Sequence, residues 1–211
     1  FAAGALTPAI AVVVSSHISM CPACRRKLEN AEAVGGALFE AENKVHLSHG
    51  SINNVLEQIE VEQRARPGRP ADAERKPRHM MADDMLPFPV ASLLETRLPD
   101  VKWKRAGRGI AIHQIDLGDD TESKLFLMKI QAGRAVPEHG HGASELTLVL
   151  SGAYTDECGR FARGDVADLD EDIEHQPVVD KDEDCICLVA IEQPTRFTGL
   201  VPRILQPLVG I

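Results

Sequence analysis

From Ala9 to Ser16 nearly every position is apolar or small. A helix over this stretch has no polar face and has to be buried. Thr7-Pro8 predicts its start, with Thr7 as N-cap and Pro8 preset at the first helical position. Pro22 cannot occupy a helix interior, so Cys21-Pro22 predicts a break and a second helix opening at Pro22 and running through Leu28 to Phe39. Gly50 reads as a stop and Ser51 as the cap of a third helix. There Ile52, Val55, Leu56 and Ile59 recur at i, i+3, i+4 and i+7, one apolar stripe on an otherwise polar helix.

Residues Arg64 to Arg78 have no such period. Pro67, Pro70, Pro77 and Gly68 interrupt mixed charge, the texture of a linker. Beyond it come short runs separated by Gly and Asp turn signals: Ile110 to Leu117, Lys124 to Ile130, Glu145 to Leu150, Ala153 to Thr155, Val178 to Val179, and Cys185 to Ile191. Closely spaced short strands predict an antiparallel sandwich or barrel. The expected organisation is a small all-α domain over residues 1–62, a Pro/Arg-rich linker over 63–82, and an all-β domain over 83–211. Joined only by a linker, the two folded parts are expected to act separately.

Composition narrows the function classes. Hydrophobic residues make up 44% of the 211, enough for buried cores and too many for a disordered chain. The apolar run from Ala2 to Val14 is interrupted by Gly4, Thr7 and Pro8 and is too short to span a bilayer. No basic region precedes it as in a signal peptide, so a cytoplasmic location is expected. The net charge of -9 is unevenly spread. Residues 1–62 carry 7 acidic and 4 basic side chains, 63–82 carry 2 and 6, and 83–211 carry 23 and 13. Folded parts this acidic are poor binders of nucleic acid, which needs clustered Lys and Arg, and suit a basic protein partner. Five cysteines, with Cys21 and Cys24 in C-x-x-C, do not form a secreted disulfide framework and fit a reducing compartment.

Two groups of residues carry chemistry. The first is His17-x3-Cys21-x2-Cys24. At about 100° per residue the three side chains fall within roughly 60° on a helical wheel, so they converge even across the break at Pro22. Two thiolates and an imidazole select Zn²⁺. A structural zinc takes four ligands, and the fourth could come from upstream of Phe1, from His46 or His49, or from solvent or a partner. A redox C-x-x-C follows a strand in a βαβ unit, which is missing here.

The second is Gly133-x5-His139-x-His141-x3-Glu145-x6-Gly152, followed by Gly164-x10-His175. In extended chain His139, His141 and Glu145 share parity and point to one side, and a later hairpin brings His175 across. Three imidazoles and a carboxylate suit Zn²⁺, Fe²⁺, Mn²⁺ or Ni²⁺ without choosing among them. Gly133, Gly152 and Gly164 fit turns that need positive φ. His113 reads as a packed or edge residue, Cys185 and Cys187 as core, and Cys158 as a turn residue open to oxidation.

This second group resembles the two cupin motifs. The first matches in full from Gly133 to Gly152. In the second, Gly164 and His175 match while Asp170, Asp172 and Val179 stand where the family has Pro, Gly and Asn, so the loop is expected to differ in shape. A helical H-x3-C-x2-C unit, a Pro/Arg linker and one cupin are together similar to the ChrR-type anti-sigma factors over essentially the whole chain. The stretches His17 to Cys24, Ala33 to Gly36, Glu145 to Leu150 and Asp184 to Leu188 carry the likeness. The resemblance implies a double-stranded β-helix, two Zn²⁺ sites, and an N-terminal domain that clamps an extracytoplasmic-function-type sigma factor. It further implies release of that factor under singlet-oxygen or related stress. It also implies a zinc-ligating His ahead of Phe1, which makes His46 and His49 unnecessary as ligands. The stripe Ile52, Val55, Leu56 and Ile59 is the expected partner surface, by helix-in-groove contact. The rival expectation is a metal-dependent cupin dioxygenase or isomerase, with open coordination positions on Fe²⁺ or Mn²⁺.

Overall fold

The structure is a computed structural model that describes residues 1–42, 45–65, 86–94, 97–118, 123–140, 142–192 and 196–197. The expected linker therefore lies, from residue 66 onward, outside the described residues. The chain divides into two compact units, residues 1–32 with 84–211, and residues 33–83. The sequence places a boundary near residue 62, whereas here the first helix shares a unit with the β-rich part.

Helix α1 spans Pro8–Met20, with Thr7 in extended backbone before it and Pro8 in its first turn. The Thr7 hydroxyl does not cap the helix but donates to Glu192 Oε1 at 3.2 Å. Cys21 ends the helix, its amide returning to the His17 carbonyl at 2.8 Å, and Pro22 opens α2 (Pro22–Ala41) as expected. Helix α3 spans Ser51–Ala65. Gly50 precedes it at φ +87°, and Ser51 is its first residue, one position further in than a cap. A short helix α4 (Phe88–Leu93) and a 3-10 turn at Leu98–Asp100 lead into the strands.

The main sheet has six antiparallel strands: β1 (Lys104–Gly107), β2 (Ile110–Ile115), β3 (Lys124–Ile130), β5 (Glu145–Ser151), β8 (Val166–Leu169) and β11 (Cys185–Ile191). Their order is β1-β2-β3-β11-β5-β8. Strands β6 (Ala153–Asp156), β7 (Gly159–Ala162) and β10 (Val178–Val179) form a second sheet. A third joins β4 (His139–Gly140), β9 (Glu174–His175) and β12 (Arg196–Phe197). Among the described residues all pairings are antiparallel, and the architecture is the expected β-helix barrel.

The central strands β3, β5 and β11 are apolar on both faces because both are covered, which is why they read as unbroken runs instead of alternating ones. Leu125, Leu127, Leu148, Leu150, Leu188 and Ala190 form one core with Val90 and Leu94. Into the same core α1 places Ala9, Ile10 and Val13, none more than 4% exposed. The burial that an all-apolar helix demands is thus supplied by the barrel. Alternate positions Phe126, Val149, Cys187, Val189 and Ile191 point the other way, into a second core with Tyr154 and Val179. Cys185 and Cys187 are buried there, their sulfurs 3.6 Å apart.

Gly152 turns the chain from β5 into β6 at φ +70°, and a Cβ there would lie 2.6 Å from the Asp184 carbonyl oxygen. Gly152→Ala combines backbone strain with a clash against backbone, so a cost of about 2–3 kcal/mol is expected. A thermal melt should show it as a midpoint lowered by about 5–10 °C.

Candidate metal centres

The barrel group is assembled by register. β4 pairs with β9 so that His139 lies directly opposite His175, and their Nε2 atoms come within 3.2 Å. Glu145, at the start of β5, completes the set, and all three are buried. One ligand atom from each of His139, Glu145 and His175 lies within 4.8 Å of the others. His141, the fourth expected member, lies outside the described residues.

Outer partners prepare these groups for a cation. His139 Nδ1 meets the Pro137 carbonyl at 2.8 Å, and His175 Nδ1 meets Asp156 Oδ2 at 2.8 Å. A carbonyl or carboxylate only accepts, so each Nδ1 carries the proton and each Nε2 turns a lone pair inward. Two lone pairs facing across 3.2 Å repel unless a cation or a proton lies between them. Thr147 Oγ1 donates to Glu145 Oε1 at 3.0 Å and fixes the carboxylate. The donor set thus fits a divalent metal held by nitrogen and oxygen. Close by in the core, the sulfur of Cys185 and full burial push the Cys187 thiol well above the ordinary range, so it stays protonated and offers no thiolate.

The N-terminal group also forms. His17 in the last turn of α1, Cys21 at the junction and Cys24 in the first turn of α2 bring ligand atoms within 4.8 Å of one another, all half-buried. The Cys24 amide and thiol hydrogen-bond to the Cys21 sulfur and hold its thiol below the usual value, and the same shared bond raises Cys24. A lowered thiol just ahead of a helix start favours the thiolate form that soft cations bind. His17 Nδ1 lies 2.8 Å from the carbonyl of Gly164, in the turn between β7 and β8, which leaves Nε2 as the ring nitrogen that could face a cation. His46 and His49 are exposed, and His113 Nδ1 meets the Lys102 carbonyl at 3.1 Å.

The sequence brought forward the candidate ligands but not what orients them. Asp156, Pro137 and Gly164 act through an outer carboxylate or a backbone oxygen, and nothing in motif spacing marks such atoms. Asp156 shares parity with the inward-facing Tyr154, which places it on the same side of β6.

In the unit of residues 33–83, α3 presents its stripe to solvent. Ile52, Val55, Leu56 and Ile59 are 45–71% exposed. On the α2 residues of that unit, Val34, Leu38 and Phe39 are exposed as well. Among the described residues no helix is long and apolar enough to cross a membrane.

Residues 94–194 match the model of a family described as the ChrR cupin-like domain. The chain is 41% identical over 207 residues to the curated anti-sigma-E factor ChrR of Cereibacter sphaeroides, covering 98% of this chain and 92% of that protein. It is also similar to a crystal structure of Rhodobacter sphaeroides SigE in complex with the anti-sigma ChrR. There the TM-score is 0.72 at 37% identity, covering 90% of this chain and 92% of that one.

Proposed function

This chain belongs to the ChrR family of anti-sigma factors, and from that membership we propose that it sequesters an extracytoplasmic-function-type sigma factor in the cytoplasm. It is a regulatory protein, and likeness to an anti-sigma factor over nearly its whole length speaks against the dioxygenase or isomerase alternative. The observation that carries the reading is that full-length likeness, taken together with an apolar stripe left exposed on α3.

Ile52, Val55, Leu56 and Ile59 sit at helical spacing on a chain of net charge -9. Such a face docks into an apolar groove, while the surrounding acid favours a basic partner and speeds encounter. His17, Cys21 and Cys24 hold Zn²⁺ at the α1–α2 junction with a further ligand, and so fix the angle at which α2 leaves α1. His139, His141, Glu145 and His175 hold the second metal, Zn²⁺ in this reading, inside the barrel. Release under singlet-oxygen-like oxidative stress belongs to the same proposal: imidazole and thiolate ligands are the groups such oxidants attack, and their loss removes the metal that shapes the clamp.

The test is co-expression with the cognate sigma factor, isolation of the complex and metal analysis of it. Substituting both Val55 and Ile59 by Asp is expected to weaken sigma binding by about a hundredfold or more, because two apolar anchors are replaced by charges that must be desolvated. Both side chains are half-exposed in the free chain, so metal content and melting temperature should stay at wild-type values. Unchanged affinity in that double variant would move the docking surface away from α3.

A further inference from the structure

We propose that the barrel controls how firmly the N-terminal metal group holds its ion, with Gly164 as the positioning residue and the β6–β7 hairpin and β5 as the links. This rests on the reading above that both groups hold metal, and it adds how one reports on the other.

The Gly164 peptide is gripped from the barrel side and offered to α1. Its amide donates to the Val149 carbonyl at 2.8 Å, and the Val149 amide donates to the Asp165 carbonyl at 3.0 Å, so the turn is tied to β5 in both directions. The Asp165 carboxylate closes the turn, accepting from the Ala162 amide at 2.9 Å. The Gly164 carbonyl then accepts from His17 Nδ1 at 2.8 Å. A ligating imidazole takes both its ring orientation and its basicity from the acceptor on its other nitrogen. For His17 that acceptor is a barrel backbone atom, held independently of the helix that carries the ligand.

The same segments reach the barrel group. β5, which anchors Gly164 through Val149, begins at Glu145. Asp156 ends β6, and its two oxygens do different work: Oδ2 meets His175 Nδ1, while Oδ1 accepts from the amides of Cys158 and Gly159 at 2.9 and 3.1 Å and shapes the hairpin into β7. β7 then runs directly to the Gly164 turn. A change in how His175 and Glu145 are held therefore moves two strands that converge on the carbonyl holding His17. The core behind them, with Val149 at 0% exposure, is close-packed and passes on displacement instead of absorbing it.

Two variants isolate the links. Gly164→Ala keeps room for the new methyl, whose nearest neighbour would be the Met20 terminal carbon at 3.7 Å. However, φ +94° strains any L side chain, so the turn and its carbonyl shift. Asp156→Asn keeps the shape but can accept at only one position. If its oxygen keeps the hairpin amides, its NH₂ faces His175 Nδ1, which must then accept, and the proton moves to Nε2 where a metal would bind.

The readout is the full chain loaded with cobalt(II). Thiolate-to-cobalt absorption reports the Cys21–Cys24 group, since among the described residues the barrel group contains no sulfur ligand. The rate at which a chelator removes that band is measured beside total cobalt per chain. Gly164→Ala is expected to speed loss of the band about tenfold with barrel metal retained, within the 10–100-fold range of outer-partner changes. Asp156→Asn is expected to lower the barrel metal and also to speed loss of the thiolate band several-fold. If Asp156→Asn empties the barrel while the band decays at the wild-type rate, or if Gly164→Ala leaves that rate unchanged, the coupling is overturned. A wild-type chain that gives no thiolate–cobalt band refutes the metal assignment itself, which is a different failure.

Discussion

Replacing Cys24 by serine is expected to strip the metal from the N-terminal group and with it nearly all sigma binding, while α1 and the barrel stay folded. The size of the effect follows from what is lost. Changing only an outer partner of a ligand costs about 10–100-fold in metal affinity, and removing the thiolate itself costs more. Serine keeps the backbone amide that bonds the Cys21 sulfur and offers a hydroxyl in place of the thiol, so the effect comes from the lost sulfur at position 24 itself. Yet α1 does not depend on this site for its place. Ala9, Ile10 and Val13 are buried against the sheet, and Thr7 bonds Glu192 at its other end. Collapse is therefore confined to the direction in which α2 departs from the junction. The measurement is metal content, far-ultraviolet dichroism and sigma affinity on one preparation. Affinity within threefold of wild type after loss of one metal per chain would remove the metal from the clamp and leave α3 as a metal-independent docking helix.

The parts legible in the sequence are those set by short-range rules. Pro22, the stripe on α3, and the six strand-like runs each follow from one residue type or one period, and each reappears in the structure within a residue or two. Strands β1, β7 and β8 escaped because each has only four residues, too few to show a period; β1 and β7 also have no buried position, and in β8 the buried alternation rests on just Ala167 and Leu169. The two candidate groups were legible because metal chemistry restricts which side chains serve, and the structure brings His17, Cys21 and Cys24 together, and His139, Glu145 and His175. What local pattern could not supply is the partner of α1. An apolar helix announces that it is buried but not against what, and the answer here is a sheet more than a hundred residues away in the chain. Separating an all-α part from an all-β part by composition assigns α1 to its neighbours in sequence, whereas burial assigns it to the barrel. The consequence for function is direct: the helix bearing His17 is part of the barrel's own core, and the His17, Cys21 and Cys24 group begins where that core ends.

Glu145→Gln is expected to abolish the stabilisation that metal gives the barrel without disturbing its packing. A ligand present at about a thousand times its dissociation constant stabilises a fold by about 4 kcal/mol. For a chain of this length that amounts to a midpoint shift of about 10 °C on adding a strong chelator to the wild type. Glutamine fills the space of glutamate and still accepts from the Thr147 hydroxyl, but the lost charge leaves His139 and His175 facing a neutral oxygen. Metal affinity should fall at least a hundredfold, and the chelator should then move the midpoint by no more than the contribution of the N-terminal group. The metal-free proteins provide the sharper comparison. There the wild type keeps a carboxylate 6% exposed beside two inward-facing imidazole nitrogens, whereas the variant keeps a neutral amide. Burying a carboxylate carries a desolvation cost that an isosteric neutral amide largely avoids. The metal-free variant should therefore melt at the same temperature as the metal-free wild type or above it, reversing the order seen with metal present. A variant that melts below the metal-free wild type would mean that Glu145 is a structural hydrogen-bonding residue of the barrel and not a ligand.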